Sequence, residues 1–193
     1  MNRTTNRTTN RTIAGTILAA LALGLSAAAA VSPAHASTAW SALQASVPYT
    51  VYEPYETYGL PRTKLEINDE CDGPSGSTPE TIEAVYKSGT TKVKMWESDS
   101  ASCIPPGGGA MAMYVPYTTF PVEGGAATAT VWINCPTSLA CEFPTSSQIK
   151  TQGAWVSVTL SASAGHDPTN AYVYSKGLSY KKLKSFVWSL GLP

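Results

Sequence analysis

Ala171-Tyr172-Val173-Tyr174-Ser175-Lys176-Gly177-Leu178-Ser179-Tyr180-Lys181-Lys182-Leu183-Lys184-Ser185-Phe186-Val187-Trp188-Ser189-Leu190-Gly191 changes period once, and the change decides the fold class. Residues 171–174 alternate in the manner of a short strand. From Leu178 the period is helical, with Ser179 placed to cap the helix. Leu183, Phe186, Val187 and Leu190 fall at i, i+3, i+4 and i+7, which makes one apolar stripe. Lys181, Lys182 and Lys184 fall away from it, and Gly191 is the stop signal. A single amphipathic helix must bury its stripe against something. What the rest of the chain offers is a sheet.

Upstream the period is two. Ile82-Glu83-Ala84-Val85-Tyr86 and Lys92-Val93-Lys94-Met95-Trp96 flank Ser88-Gly89-Thr90-Thr91, which predicts a hairpin. In its second arm Lys92 and Lys94 alternate with Val93 and Met95, the pattern of one wet and one buried face. Further strands are predicted at 49–52, 65–67, 111–115, 126–134 and 154–160, with a loop over 99–109. A short helix is predicted over 37–47, where Trp40, Leu43 and Val47 share a face. The fold class is therefore α+β: a curved, largely antiparallel β-sheet with the C-terminal amphipathic helix packed on one face, held by two disulfides.

The first residues set the compartment. Arg3, Arg7 and Arg11 precede an apolar run over 13–31, and Pro33-Ala34-His35-Ala36 supplies an Ala-x-Ala exit ahead of Ser37. Basic, apolar and small-residue regions in that order predict a signal peptide over 1–36, cleaved after Ala36, and a secreted domain over 37–193. The run is rich in Ala and Gly and no basic cluster follows it, so no stable membrane anchor is expected after cleavage. Removing 36 residues from 193 leaves 157, enough for one core. Without the three leader arginines, ten basic residues face thirteen acidic ones, a net charge of −3. With no basic stripe in the sequence, neither nucleic acid nor an anionic membrane surface is an expected partner. The mature chain is expected to be a monomer.

Export changes how Cys71, Cys103, Cys135 and Cys141 are read. Four cysteines in an oxidising compartment imply two disulfides with three possible pairings. Cys135 and Cys141 enclose a short loop, which favours 135–141 and leaves 71–103. The longer bridge contributes on the order of 3 kcal/mol through the unfolded state. There is no CxxC pair and one mature histidine, so no metal and no cofactor is expected. Pro136, Thr137, Ser138, Leu139 and Ala140 form a preorganised loop that could present Leu139 to a protease, as a substrate-mimicking inhibitor does.

Other candidates are weaker. His166 lies in Gly165-His166-Asp167-Pro168 without a nucleophile elbow, and reads as a loop histidine. Asn68, Glu70, Asp72 and Gly73 copy the opening spacing of a calcium loop, but Pro79 stands where its bidentate Glu is needed. No spacing selects Glu66 and Glu83 as a glycosidase pair. Met111 and Met113 read as core, and Tyr49, Tyr52, Tyr55 and Tyr58 as a possible sticky edge. No catalytic residue is expected.

Val47-Pro48-Tyr49-Thr50-Val51-Tyr52-Glu53-Pro54 with Gly59-Leu60-Pro61, and the tail from Tyr172 to Leu190, resemble the two ends of an uncharacterised family of secreted and lipid-anchored bacterial domains. The Ala-rich leader is similar to those of exported proteins of high-GC Gram-positive bacteria. The resemblance implies a curved sheet embracing a helix, as in periplasmic lipoprotein carriers, and implies no catalytic residues. The chain lacks the lipid-attachment cysteine of the anchored members. The functional expectation is a secreted, non-enzymatic binding domain for a hydrophobic ligand or a cell-envelope partner. The alternative is the protease inhibitor acting through the Cys135–Cys141 loop.

Overall fold

A computed structural model describes residues 34–68, 80–101, 113–135 and 144–193. In chain order the elements are α1 (Ala34–Gln44), β1 (Glu53–Pro54), β2 (Arg62–Asn68), β3 (Thr81–Ser88), β4 (Thr91–Ser98), β5 (Met113–Val122), β6 (Ala127–Cys135), α2 (Ser146–Gln152), β7 (Ala154–Leu160), β8 (Thr169–Lys176), α3 (Tyr180–Trp188) and β9 (Leu190–Gly191). Strands β2 to β8 form one seven-stranded sheet in the order β2-β3-β4-β8-β7-β6-β5, antiparallel at every step. β1 and β9 pair separately. The α+β class and the antiparallel sheet match the sequence reading.

Alternation explains the layers. Ile82, Ala84, Tyr86, Val93, Met95, Ala171, Val173, Val156 and Val158 share one face of the sheet and are buried. Helix α3 covers part of that face. Leu183 and Phe186 are fully buried, Val187 is nearly so, and Phe186 meets the Tyr86 ring edge-on at 5.6 Å. Burying each such side chain is worth about 1.5–3 kcal/mol relative to leaving it in water. As predicted, Ser179 accepts a hydrogen bond from the Lys182 N–H. The 88–91 hairpin also forms, with Gly89 at φ +56° inside the turn.

The boundaries differ in instructive ways. The first helix is Ala34–Gln44 and not 37–47, so Val47 packs beyond its end. Residues 49–52, predicted as a strand, make only a parallel bridge from Tyr49 to Asp167. The segment is instead an extended strap, buried on the helix side of the sheet through Tyr49, Val51 and Tyr52. Leu190 belongs to β9 and not to the helix, because Ser189 ends α3 by donating to Ser185 and Phe186 carbonyls. Helix α2 has no apolar stripe beyond Ile149, which is why periodicity missed it. It is opened by a capping box in which the Thr145 N–H donates to Gln148 Oε1.

Cys135 closes β6, is buried, and is disulfide-bonded. Cys71, Cys103 and Cys141 lie outside the described residues, as do Pro136, Thr137, Ser138, Leu139 and Ala140. So do residues 1–33 of the expected 1–36 leader, most of the 99–109 loop and the Asp69–Gly73 part of the calcium-like run; Ala34-His35-Ala36 of the expected leader fall in α1. No helix among the described residues is long and apolar enough to cross a membrane.

Candidate functional site

The face of the sheet turned away from α3 carries aromatic side chains. Trp96, Tyr172, Tyr174, Trp155, Trp132 and Tyr114 come from five neighbouring strands and point the same way by register. Trp96 and Trp155 stack at 5.3 Å, Tyr174 lies 5.1 Å from Trp155, and Tyr114 meets it edge-on at 6.1 Å. Their phase is that of Lys94 and Ser157, but only strand pairing brings the six into one row. The face is not an open ledge, however. Trp96 is only 4% exposed. β4 and β5 run in the same direction with three strands between them. The residues just after β4 meet this face: Asn170 donates to the Asp99 carbonyl and the Tyr172 hydroxyl to that of Ala101.

The clearer surface lies at one end of the sheet. Register places Lys87 opposite Lys92 and Lys92 opposite Lys176, a row of three lysines on adjacent strands. Paired residues stand about 5 Å apart at Cα, and like charges there repel. Among the described residues none of the three has a carboxylate partner. Burial, Lys94 and Lys87 together hold the Lys92 ammonium below its usual range. The sequence contains no basic stripe; strand pairing builds one from residues up to 89 positions apart.

At the same end of the sheet, but on its α3 side, is a cleft of about 260 Å³ lined by Tyr58, Leu60, Thr91, Lys150, Leu178, Ser179 and Lys182 among others, with no carboxylate in the lining. The three lysines share the phase of Trp96 and Tyr174 on the other face. Gly177 joins the two features. At φ +97° it brings the β8–α3 turn so close that a Cβ there would lie 2.9 Å from the Thr91 Cα. Its N–H donates to the Lys150 carbonyl at 2.9 Å. Helix α3 opens at the cleft with Lys181 and Lys182 in its first turn and no acidic residue there. That is the wrong end of the helix dipole for cations. Lys182 rests over the Tyr58 ring at 5.1 Å.

Groups able to do acid–base chemistry are tied into the scaffold. Gln44 Nε2 donates to the Tyr49 carbonyl at 2.8 Å and to His166 Nδ1 at 3.0 Å, so His166 holds the strap in place. Glu66 and Glu83 do face each other across β2 and β3, but Lys64 bridges them at 2.6 Å to each and Lys94 adds 2.9 Å to Glu83. Although burial pushes the other way, those lysines and Asn68 hold Glu83 down at about 2, which suits no general acid. Glu97 is fully buried, with both oxygens near the Tyr52 N–H at 3.1 and 3.2 Å. Burial drives its carboxyl well above the usual range. Of the tyrosines proposed as a sticky edge, Tyr49 and Tyr52 are core and only Tyr55 is widely exposed. Met111 and the Met113 side chain lie outside the described residues.

Comparison with protein-family models, with curated proteins and with solved structures finds no match.

Proposed function

We propose that the mature chain is a secreted, non-enzymatic binding domain that meets its partner through the lysine-lined end of the sheet. One observation carries this reading. Among the described residues the lysines at that end make no ion pair with a carboxylate, whereas His166, Glu83, Glu97 and Glu123 are all engaged in structural contacts. The expected leader supports export, and the likeness of the domain's two ends to secreted and lipid-anchored domains agrees with it. A hydrophobic cargo between helix and sheet is the less favoured version, since Leu183, Phe186 and Val187 already fill that interface.

Two disulfides, 135–141 and 71–103, complete the fold in this reading. A disulfide at Cys135, at the very end of β6, favours a tight loop there. That same loop supports the second reading, an inhibitor presenting Leu139.

The test uses protein purified from culture medium with its disulfides intact. It is mixed with cell-envelope particles and sedimented, and assayed in parallel against esterase, glycosidase and peptidase substrates. Binding without turnover is the expected result. Turnover abolished by His166→Ala would overturn the reading, and protease inhibition abolished by Leu139→Gly would replace it with the second one.

A further inference from the structure

We infer that the lysine row and the adjoining cleft form a binding site for a chain of closely spaced oxyanions, an acidic polymer bearing phosphate or carboxylate groups. The inference rests on the binding-domain reading and adds the chemistry of the ligand. Three observations converge on it.

The first is the row itself. Lys87, Lys92 and Lys176 are directly opposed on three adjacent strands, a span of about 10 Å at the usual strand spacing. Directly opposed like charges destabilise a sheet, and Lys64 and Lys94 in the same sheet show that this chain can supply carboxylates when it needs them. The second is the opening of α3. Of its first-turn N–H groups, which have no intrahelical acceptor, that of Lys182 is taken by the Ser179 hydroxyl. This end of the helix dipole favours an anion, yet the side chains set there are Lys181 and Lys182. Both arrangements break a local rule of stability, and they break it at the same end of the sheet, on either side of the Thr91–Gly177 contact. Sequences depart from local optima in this way where function demands it.

The third observation is polarity along the strands. Glu80, Asp99 and Asp167 sit at the opposite end of β3, β4 and β8. The domain is thus acidic in total but has one cationic end, which orients an anionic chain rather than attracting it over the whole surface. A single small anion would fill the cleft and leave the row unused. A polymer passing round the end of the sheet engages the row on one face and the cleft and helix opening on the other. The acidic far end disfavours a nucleic acid, whose charge continues along its whole length.

The experiment measures binding of the full secreted chain to inorganic polyphosphate, to polygalacturonate and to neutral dextran, at low and at physiological salt. Binding to one or both polyanions, weakened by salt, with none to dextran, is the expected result, and the two polyanions separate phosphate from carboxylate sources. The variant K87Q/K92Q/K176Q should bind roughly 10- to 100-fold more weakly, because it gives up three exposed ion pairs with the ligand at once. Because the row is a repulsive arrangement, that variant should melt no lower than the parent, which separates loss of site from loss of fold. Unchanged affinity in the variant overturns the inference. So does dextran binding equal to polyanion binding, or tighter binding to single-stranded DNA than to either polyanion. If envelope particles retain the protein while neither polyanion binds, the ligand class fails and the binding-domain reading stands. If nothing retains it, both fail.

Discussion

Where β4 ends, Glu97 lies wholly inside the protein with the Tyr52 N–H on its carboxyl and the Tyr49 hydroxyl on its carbonyl at 2.9 Å. Where β4 begins, Lys92 faces Lys87 and Lys176 with no carboxylate between them. The first end is a clasp. The Tyr52 hydroxyl donates to Glu123 at 2.9 Å, and Glu123 also takes the Ser161 N–H and hydroxyl at 3.1 and 2.9 Å. Backbone hydrogen bonds between Thr50 and Asp167 tie the strap to the loop before β8. One end of the same three strands therefore uses its polar groups to hold the chain together, and the other leaves them turned outward. Mutation at the two ends should have effects of opposite sign on stability.

The largest effect is expected at the clasp. Glu97→Ala removes a buried side chain and strands the Tyr52 N–H, and should cost about 3 kcal/mol, read as a lowered melting temperature or denaturant midpoint. Glu97→Gln keeps shape and acceptor and should cost less than about 1 kcal/mol, because the buried group is held as the neutral acid. Equal losses in both variants would show that the ionised form does the holding. The pH dependence sharpens the point. Glu97 is held up, so its contribution is complete below the ordinary value of 4.5 and is lost as the pH rises towards its own folded value. Glu83, held down at about 2, has the opposite sign: its contribution is complete above 4.5 and is lost as the pH falls. Stability should therefore peak in mildly acidic solution and fall by up to about 1.4 kcal/mol per pH unit above it. Glu97→Gln should flatten that falling limb and leave the acid limb in place.

Next is the joint between the hairpin and α3. Gly177→Ala would bring a Cβ to 2.7 Å from Thr91 Oγ1 and 2.9 Å from its Cα, at a φ that disfavours any side chain. A loss of about 2 kcal/mol is expected. The same variant should lower affinity for a polyanion, because it would shift the cleft and the opening of α3 relative to the end of the sheet that carries the row. A variant that melts low yet binds normally would separate the two features.

How much of this could be read from the chain alone depended on where the period was clean. Leu183, Phe186 and Val187 announced α3, and Lys92–Val93–Lys94–Met95 announced the two faces of the hairpin. The strap at 49–52 looked like a strand because its Tyr, Thr and Val residues have strand propensity, but its partners turned out to be the Gln44 side chain, Glu97 and the 163–167 loop. Propensity says nothing about what accepts a hydrogen bond. The order β8-β7-β6-β5 was equally out of reach, since β5 stands at the far edge and only long-range pairing puts it there. The lysine row shared that fate: Lys92 and Lys176 lie 84 positions apart and become neighbours only through β8.

Glu83 tests whether the face between the two ends is scaffold or site. Lys64 and Lys94 hold it, and Lys94 also lies over the Trp96 ring at 4.9 Å. Glu83→Gln should cost about 1–2 kcal/mol and free Lys94 of its carboxylate, while Lys64 keeps Glu66. If the cationic end is a binding surface, that change should raise polyanion affinity while lowering the melting temperature. A scaffold role alone moves only the second reading.

The smallest effect is the most diagnostic. Lys92→Gln removes the middle charge of the row, relieving two directly opposed pairs at once, and Lys92 is the member whose ammonium is already held below its usual range. Each such relief is worth about 0.2–1 kcal/mol, so the melting temperature should rise slightly, and should rise less in high salt where the repulsion is screened. Lys184→Gln serves as the control: it removes the same charge from a site where the ammonium rests over Phe120 and Trp188, and should leave stability unchanged or slightly lower. A fall in stability on removing Lys92 would mean that its stem packs more than its charge repels, and the row would then need no ligand to explain it. A rise, together with weaker polyanion binding, would mean that this end of the sheet gives up stability for contact with a negatively charged partner.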